Sequence, residues 1–217
     1  MMSANKGVNP FGKSPRMIVT EGSNDMHVIA ALCMKHEVQE GAFTIYDGGS
    51  DSQAIKFFNT SLMGSVPPEV MGIVIDADNP SLEKKWHVLR ESLISLGYMV
   101  PERPEPNGTV IEHRNMPKVG VWLMPDNQVD GMLENFCEKM ASPEHIEYAK
   151  ECALKARENG IGSFVDVHIP KAVIHTYLSW QNSPGKPLGQ AITAKVLDHD
   201  VEIAHKFTSF LKRLFSV

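Results

Sequence analysis

The stretch Val70-Met71-Gly72-Ile73-Val74-Ile75, closed by Asp76-Ala77-Asp78, decides the fold. Six uncharged residues rich in β-branched side chains read as a strand buried on both faces, the habit of central strands in parallel sheets. Upstream, Met17-Ile18-Val19-Thr20 forms a first such run ending in Glu21-Gly22, and Ser23 can cap a helix carrying Val28, Ile29 and Leu32. Phe43-Thr44-Ile45-Tyr46 is the next, ending in Asp47-Gly48-Gly49, after which Ser50 and Gln53 have capping-box spacing ahead of Ile55, Phe57 and Phe58. Downstream of the central run, Asn79 and Pro80 read as N-cap and first residue of a helix whose apolar face holds Trp86, Leu89, Leu93 and Leu96. The fourth run, Val119 to Met124, ends in Pro125-Asp126-Asn127 and leads to a helix with Met132, Leu133 and Phe136.

Apolar strand-like runs alternating with stretches of helical period predict an α/β fold, a Rossmann-like parallel sheet of four strands with flanking helices. Pro101, Pro104, Pro106, Gly108 and Pro117 mark the stretch before the fourth strand as a loop, with room for a short hairpin at Thr109 to His113. After Ser142-Pro143 the pattern is helical to the end, and Val201, Ala204, Phe207, Leu211 and Leu214 make the last apolar stripe. The expected division is a flexible segment over 1–16, an α/β unit over 17–140 and a helical C-terminal portion over 141–217 packed on it.

With 42% hydrophobic and 22% charged residues among 217, the chain is neither fibrous nor unfolded. Three cysteines, Cys33, Cys137 and Cys152, without a CxxC pair suggest neither a disulfide framework nor a cysteine zinc site, and point to a reducing cytoplasm. Nothing approaches the roughly 18 apolar residues of a membrane span. The net charge of -5 speaks against coating nucleic acid by bulk positive charge, though not against a local basic groove. Lys6, Lys13 and Arg16 at one end, and Lys206, Lys212 and Arg213 at the other, lie in acid-free stretches and can touch a nucleic-acid backbone or simply be solvated.

Ligands of open parallel sheets bind at the carboxyl ends of the strands, and here those ends are acidic. Glu21 and Asp25 follow strand one, Asp76 and Asp78 end strand three, and Glu134 sits on the helix after strand four. Singly, such acids cap helices and favour the positive end of the dipole. Four of five on two strand ends favour a shared site, and converging carboxylates need a neutralising partner. Mg²⁺ or Mn²⁺ supplies one through oxygen ligands, and a pair of such ions stabilises both oxygens of a phosphodiester displacement. The five carboxylates equal the whole acid surplus of 26 Asp and Glu over 21 Lys and Arg.

Ile18-Val19-Thr20-Glu21-Gly22 and Ile73-Val74-Ile75-Asp76-Ala77-Asp78 resemble the Toprim domain, whose signature is a glutamate-glycine after the first strand and a DxD after the third. Asp25 and Leu133-Glu134 look closer to the OLD-type (overcoming-lysogenization-defect) nucleases than to topoisomerases. The stretches Gly120 to Asn127 and Gly131 to Glu134 resemble a Toprim-like family of uncharacterised bacterial and phage proteins. The resemblance implies a metal-dependent enzyme that cuts or nicks nucleic-acid phosphodiesters in phage defence or mobile-element biology. It implies Glu21, Asp25, Asp76, Asp78 and Glu134 as metal ligands, and Glu21, Asp76, Asp78 and Lys171 as catalytic residues.

Departures accompany it. Asp78 is followed by Asn79-Pro80, so the third acid of a topoisomerase DxDxD is absent, and Pro184-Gly185-Lys186-Pro187 is no phosphate loop. An ATPase partner would be a separate protein. Without the resemblance Lys171 is an ordinary helix-start lysine. His168 and His175, two helical turns apart, can share a face as a proton shuttle, but such histidines more often bond locally. Trp122 and Trp180 both read as core. The competing functions are a metal- or nucleotide-binding regulator without catalysis and a structural partner.

Overall fold

The computed structural model describes residues 15–217. Strands β1 (Arg16–Thr20), β2 (Thr44–Asp47), β3 (Val70–Asp76), β4 (Thr109–Ile111) and β5 (Lys118–Met124) form one sheet in the order β2-β1-β3-β5-β4. The first three and β5 are parallel, while β4 runs antiparallel to β5, with Val110 opposite Gly120. The sheet therefore has five strands, not the four expected. The fifth comes from the proline-rich stretch: instead of turning back on itself in a hairpin, Thr109–Ile111 pairs with the start of β5 after a turn at Gly108, whose φ is +84°.

Helices α1 (Ser23–Lys35), α2 (Asp51–Leu62) and α3 (Leu82–Ser95) connect the strands, and α4 (Leu133–Glu138) follows β5. Helices α5 (Pro143–Glu158), α6 (Ile169–Ser179), α7 (Leu188–Thr193) and α8 (Glu202–Phe215) complete the chain, with a 3-10 turn at Asp166–His168. Ser50 accepts from the Gln53 N–H as its spacing predicts. Two other caps differ. Helix α1 is preceded by Gly22 in extended backbone, making Ser23 its first residue, and α3 is capped by Ser81, which accepts from Lys84 N–H at 3.4 Å. Asn79 and Pro80 belong to the turn that separates Asp78 from that helix.

Alternation along the strands builds two cores. Val19, Met71, Ile73, Ile75, Val121 and Leu123 face α2 and α3 with Phe58, Trp86, Leu89 and Leu93. Ile18, Val74, Trp122 and Met124 face the other way, into one cluster shared with α1 and the C-terminal helices. Trp122 lies edge-on to Phe207 at 5.0 Å between ring centres, so it is core as read. Gly72 and Gly120 pair across β3 and β5 and form a notch for α8. A Cβ on Gly72 would stand 3.0 Å from Leu214 Cδ2, and one on Gly120 would overlap the same side chain. Small residues here let the helix sit directly on the sheet.

Trp180 is not core. It caps the end of α6, off the stripe of Val173, Ile174, Tyr177 and Leu178, and is 47% exposed. Of the terminal basic residues, Lys6 and Lys13 lie outside the described residues, as does the segment called flexible up to residue 14. Arg16 opens β1, pairs with Glu69 at 3.5 Å and donates to Phe215 O, and Arg213 donates to Gly108 O. Lys206 pairs with Glu202 at 2.7 Å. Three free cysteines are present, and no helix among the described residues is long and apolar enough to cross a membrane.

Candidate functional site

The carboxyl ends of β1 and β3 lie side by side because Thr20 and Val74 are register partners, and each strand then releases its acids. Glu21 leaves β1 and reaches across, its Oε2 accepting the backbone N–H of Asp76 at 3.3 Å. Asp76 in turn accepts the Leu133 N–H on Oδ1 at 2.9 Å, at the start of α4. Two loop contacts hold that end in place: Ala77 N–H donates to Gly131 O at 2.7 Å, and Leu82 N–H to Asp130 Oδ1 at 2.7 Å. Gly131 has φ +156°, and a Cβ there would crowd Pro125 Cδ at 3.0 Å and Asn135 Oδ1 at 2.9 Å. Asn127, in left-handed backbone, accepts the Leu123 N–H and so tightens the turn leaving β5.

Asp25, one turn into α1, and Glu134, on α4, are both buried, and they share a field with Glu21 and Asp76. Burial, then the charges of Asp25, Glu21 and Glu134, pushes the Asp76 carboxyl up to about 9. Burial, then Glu21, pushes Asp25 up to about 7, against the pull of the Gly22 and Asp25 backbone N–H groups. Glu21 is raised too, chiefly by burial, with the Asp76 N–H and Lys85 acting against it. Asp25 Oδ1 is fully enclosed and has no hydrogen-bond partner. An unsatisfied buried carboxylate oxygen is costly, and unusual enough to need an explanation.

Lys171, near the start of α6, brings its Nζ to 3.9 Å from Glu134 Oε1, at the outer limit of an ion pair. Five of the six residues singled out from the sequence, Glu21, Asp25, Asp76, Glu134 and Lys171, thus belong to one region. Asp78 is partly exposed beyond them, close enough for its charge to raise Glu21. His168 and His175 are exposed and bond to nothing in this region.

The sequence reading missed Lys85. Its side chain is 5% exposed, pairs with Asp51 and places positive charge beside Glu21. The pairing holds the Asp51 carboxyl below its usual range. A signal was present: Lys85 lies on the same helical stripe as Leu89, Leu93 and Leu96, where a lysine has no business unless it is paired. Cys137, buried beneath the carboxylates, has its thiol pushed well above the usual range by burial and then by Glu134. That leaves it a packing residue rather than a nucleophile.

Among the described residues, no three His, Cys, Asp or Glu side chains stand in positions that could hold a metal ion. The carboxylates sense one another electrostatically without closing into a ligand set. Their chemistry suits a hard cation all the same. Every donor is a carboxylate oxygen, one is buried without a partner, and the repulsion among them is what a divalent charge relieves.

The chain belongs to a family described as protein of unknown function DUF3226, whose profile matches residues 15–216. No curated protein and no solved structure matches it.

Proposed function

We propose that this member of the DUF3226 family is a Mg²⁺- or Mn²⁺-dependent enzyme of Toprim type that cuts or nicks nucleic-acid phosphodiesters. The observation that carries the reading is the buried Asp25 Oδ1, without a hydrogen-bond partner and inside the shared field of Glu21, Asp76 and Glu134. The resemblance of Glu21-Gly22 and Asp76-Ala77-Asp78 to the Toprim signature supports it, and so does the placement of those acids at adjacent strand ends. Glu21, Asp25, Asp76 and Glu134 would hold the cation, with Asp78 at the open side. A divalent cation bound there supplies Lewis-acid stabilisation of a phosphoryl oxygen and a water of lowered pKa.

The chain's own residues do the rest. The Asp76 N–H fixes the Glu21 carboxylate, and the Leu133 N–H fixes Asp76, so both are aimed before substrate arrives. Lys171, half-exposed at the rim, offers an ammonium to the charge that grows on the phosphoryl oxygens. Lys85 and Asp51 neutralise each other on the other flank and leave Lys171 as the cation facing Glu134.

Thermal unfolding with Mg²⁺, Mn²⁺ or EDTA tests the site, because a ligand of the folded state raises the midpoint by mass action. Wild type should respond and Asp76→Asn should respond much less. An identical midpoint in metal and EDTA would overturn the metal reading. Supercoiled plasmid then separates enzyme from regulator. Nicking by wild type that vanishes in Asp76→Asn supports catalysis, and a metal response without cleavage of DNA or RNA favours the binding role.

A further inference from the structure

The cleft between α5 and α6 lies outside the carboxylate region and has a different chemistry. It measures about 640 Å³, and one wall is a row of three glutamates, Glu144, Glu147 and Glu151, at i, i+3 and i+7 along α5. Aromatic rings from both helices complete the lining: Tyr148 and His145 from α5, with Tyr177 and Trp180 from α6 and its end. Trp180 and Tyr148 lie against each other across the cleft, ring centres 5.6 Å apart and tilted by 48°, with Tyr148 61% exposed. Tyr177 sits at the base, its hydroxyl tied to Val196 O at 3.1 Å, so only its ring is left for the cleft.

The glutamates are poorly neutralised. Lys150 approaches Glu147 at 3.8 Å, and among the described residues neither Glu144 nor Glu151 has an ion-pair partner. Tyr148 and Trp180 leave two aromatic rings in mutual contact at the surface, open to a ligand. Aromatic faces with carboxylates beside them attract cations twice, through the ring quadrupole and through charge. A nucleic-acid base also stacks on such rings, but its phosphates would meet three carboxylates.

We propose that this cleft docks an extended basic segment of a partner protein, with two arginines that pair with the ends of the glutamate row and lie against Trp180 and Tyr148. Guanidinium suits the place because it stacks on aromatic faces and pairs with carboxylates through a planar fork. Length selects a segment over a single small cation. Glu144 and Glu151 are about 10 Å apart along the helix axis, and an extended chain covers about that distance in three residues. In the polyproline II form of such a segment, with three residues per turn, arginines at i and i+3 share a face and therefore match the two ends of the row. The inference is independent of the metal reading.

Calorimetry on the full chain in EDTA, with the blocked peptide Ala-Arg-Ala-Ala-Arg-Ala, tests it. Wild type should bind, and binding should weaken as salt rises. Trp180→Ala and the double variant Glu144→Gln/Glu151→Gln should each weaken it at least about tenfold, a loss of about 1.4 kcal/mol. Both changes lie at the surface, and unchanged unfolding midpoints would confirm intact folds. Acrylamide quenching gives a second readout, since Trp86 and Trp122 are buried and Trp180 is the accessible indole, which bound peptide should shield. Three results would overturn the proposal. They are no heat up to millimolar peptide, equal binding of the same peptide with citrulline for arginine, or equal binding of arginine amide alone, which would make the cleft a small-cation site.

Discussion

The backbone N–H of Asp76 donates to Glu21 Oε2 at 3.3 Å, so one peptide group ties together the carboxylates that end two neighbouring strands. Only the Asp76 half of the contact is main chain, so Asp76→Asn leaves it in place and keeps an Oδ1 for the Leu133 N–H, whereas replacing Glu21 removes the acceptor. Asp76→Asn therefore reports on charge, and four outcomes follow from charge and packing.

Stability of the metal-free protein should fall as pH rises from 5 to 9. Folding holds the proton on Asp25 up to about 7 and on Asp76 up to about 9, whereas in the unfolded chain both leave near 3.8. The folded state thus binds more protons across that window, which is the condition for stability to drop with rising pH. Urea midpoints in EDTA at pH 5, 7 and 9 measure it. The slope should flatten in Asp76→Asn, and any stabilisation by Mg²⁺ should grow with pH as the cation replaces the protons. A midpoint that climbs steadily from pH 5 to 9 would contradict the placement of these groups.

Asp51→Asn should destabilise more than Lys85→Met. The first strands a buried ammonium, at a cost of about 3–5 kcal/mol. The second removes that ammonium and leaves Asp51, whose side chain is 38% exposed, to water. Denaturant unfolding of the two variants decides, and the reverse order would mean that Lys85 is held by Glu21 more than by Asp51.

Gly120→Ala should cost about 1–3 kcal/mol through overlap with Leu214. Leu214→Ala alone should cost about 2–5 kcal/mol by opening a cavity. Combined, the two should cost less than their sum, because the added methyl occupies the space vacated. A double-mutant cycle reads this directly, and strict additivity would place α8 further from the sheet.

Lys171→Met should lower the unfolding midpoint only slightly, since the lysine is half-exposed and stands 3.9 Å from the buried Glu134, too far and too solvated to add more than about 1 kcal/mol. If the proposed activity is present, turnover should drop at least about a hundredfold with little change in KM, as for an interaction made in the transition state. A loss confined to KM would assign Lys171 to substrate binding instead.

The parallel strands and their acids were legible because Val70 to Ile75 has no reading other than a buried strand and because each strand end carries its carboxylate in sequence order. Strand β4 was not. It has three residues, lies among prolines, and takes its identity from β5 rather than from its own pattern. Lys85 escaped notice because its partner, Asp51, is far away in the chain and periodicity says nothing about pairing across helices. Trp180 was misplaced for the opposite reason. It follows Tyr177 at helical spacing, yet the helix ends there and the stripe does not continue. Ser81, one residue past a proline that resembled a helix start, shows how a turn can displace a cap that composition alone would place earlier.

The notch at Gly72 and Gly120 also sets an order of assembly. The strands that form it precede α8 by about 90 to 140 residues in the chain, a separation that makes the contact slow to form. On the ribosome, helices α1 and α4, made earlier, cover part of the Trp122 side of the sheet, but the place over the glycine notch stays open until Glu202–Phe215 has been made. Until then the nascent sheet carries an open apolar patch that a chaperone can grip. Its closing event is the arrival of Leu214, a residue translated long after the strands it locks.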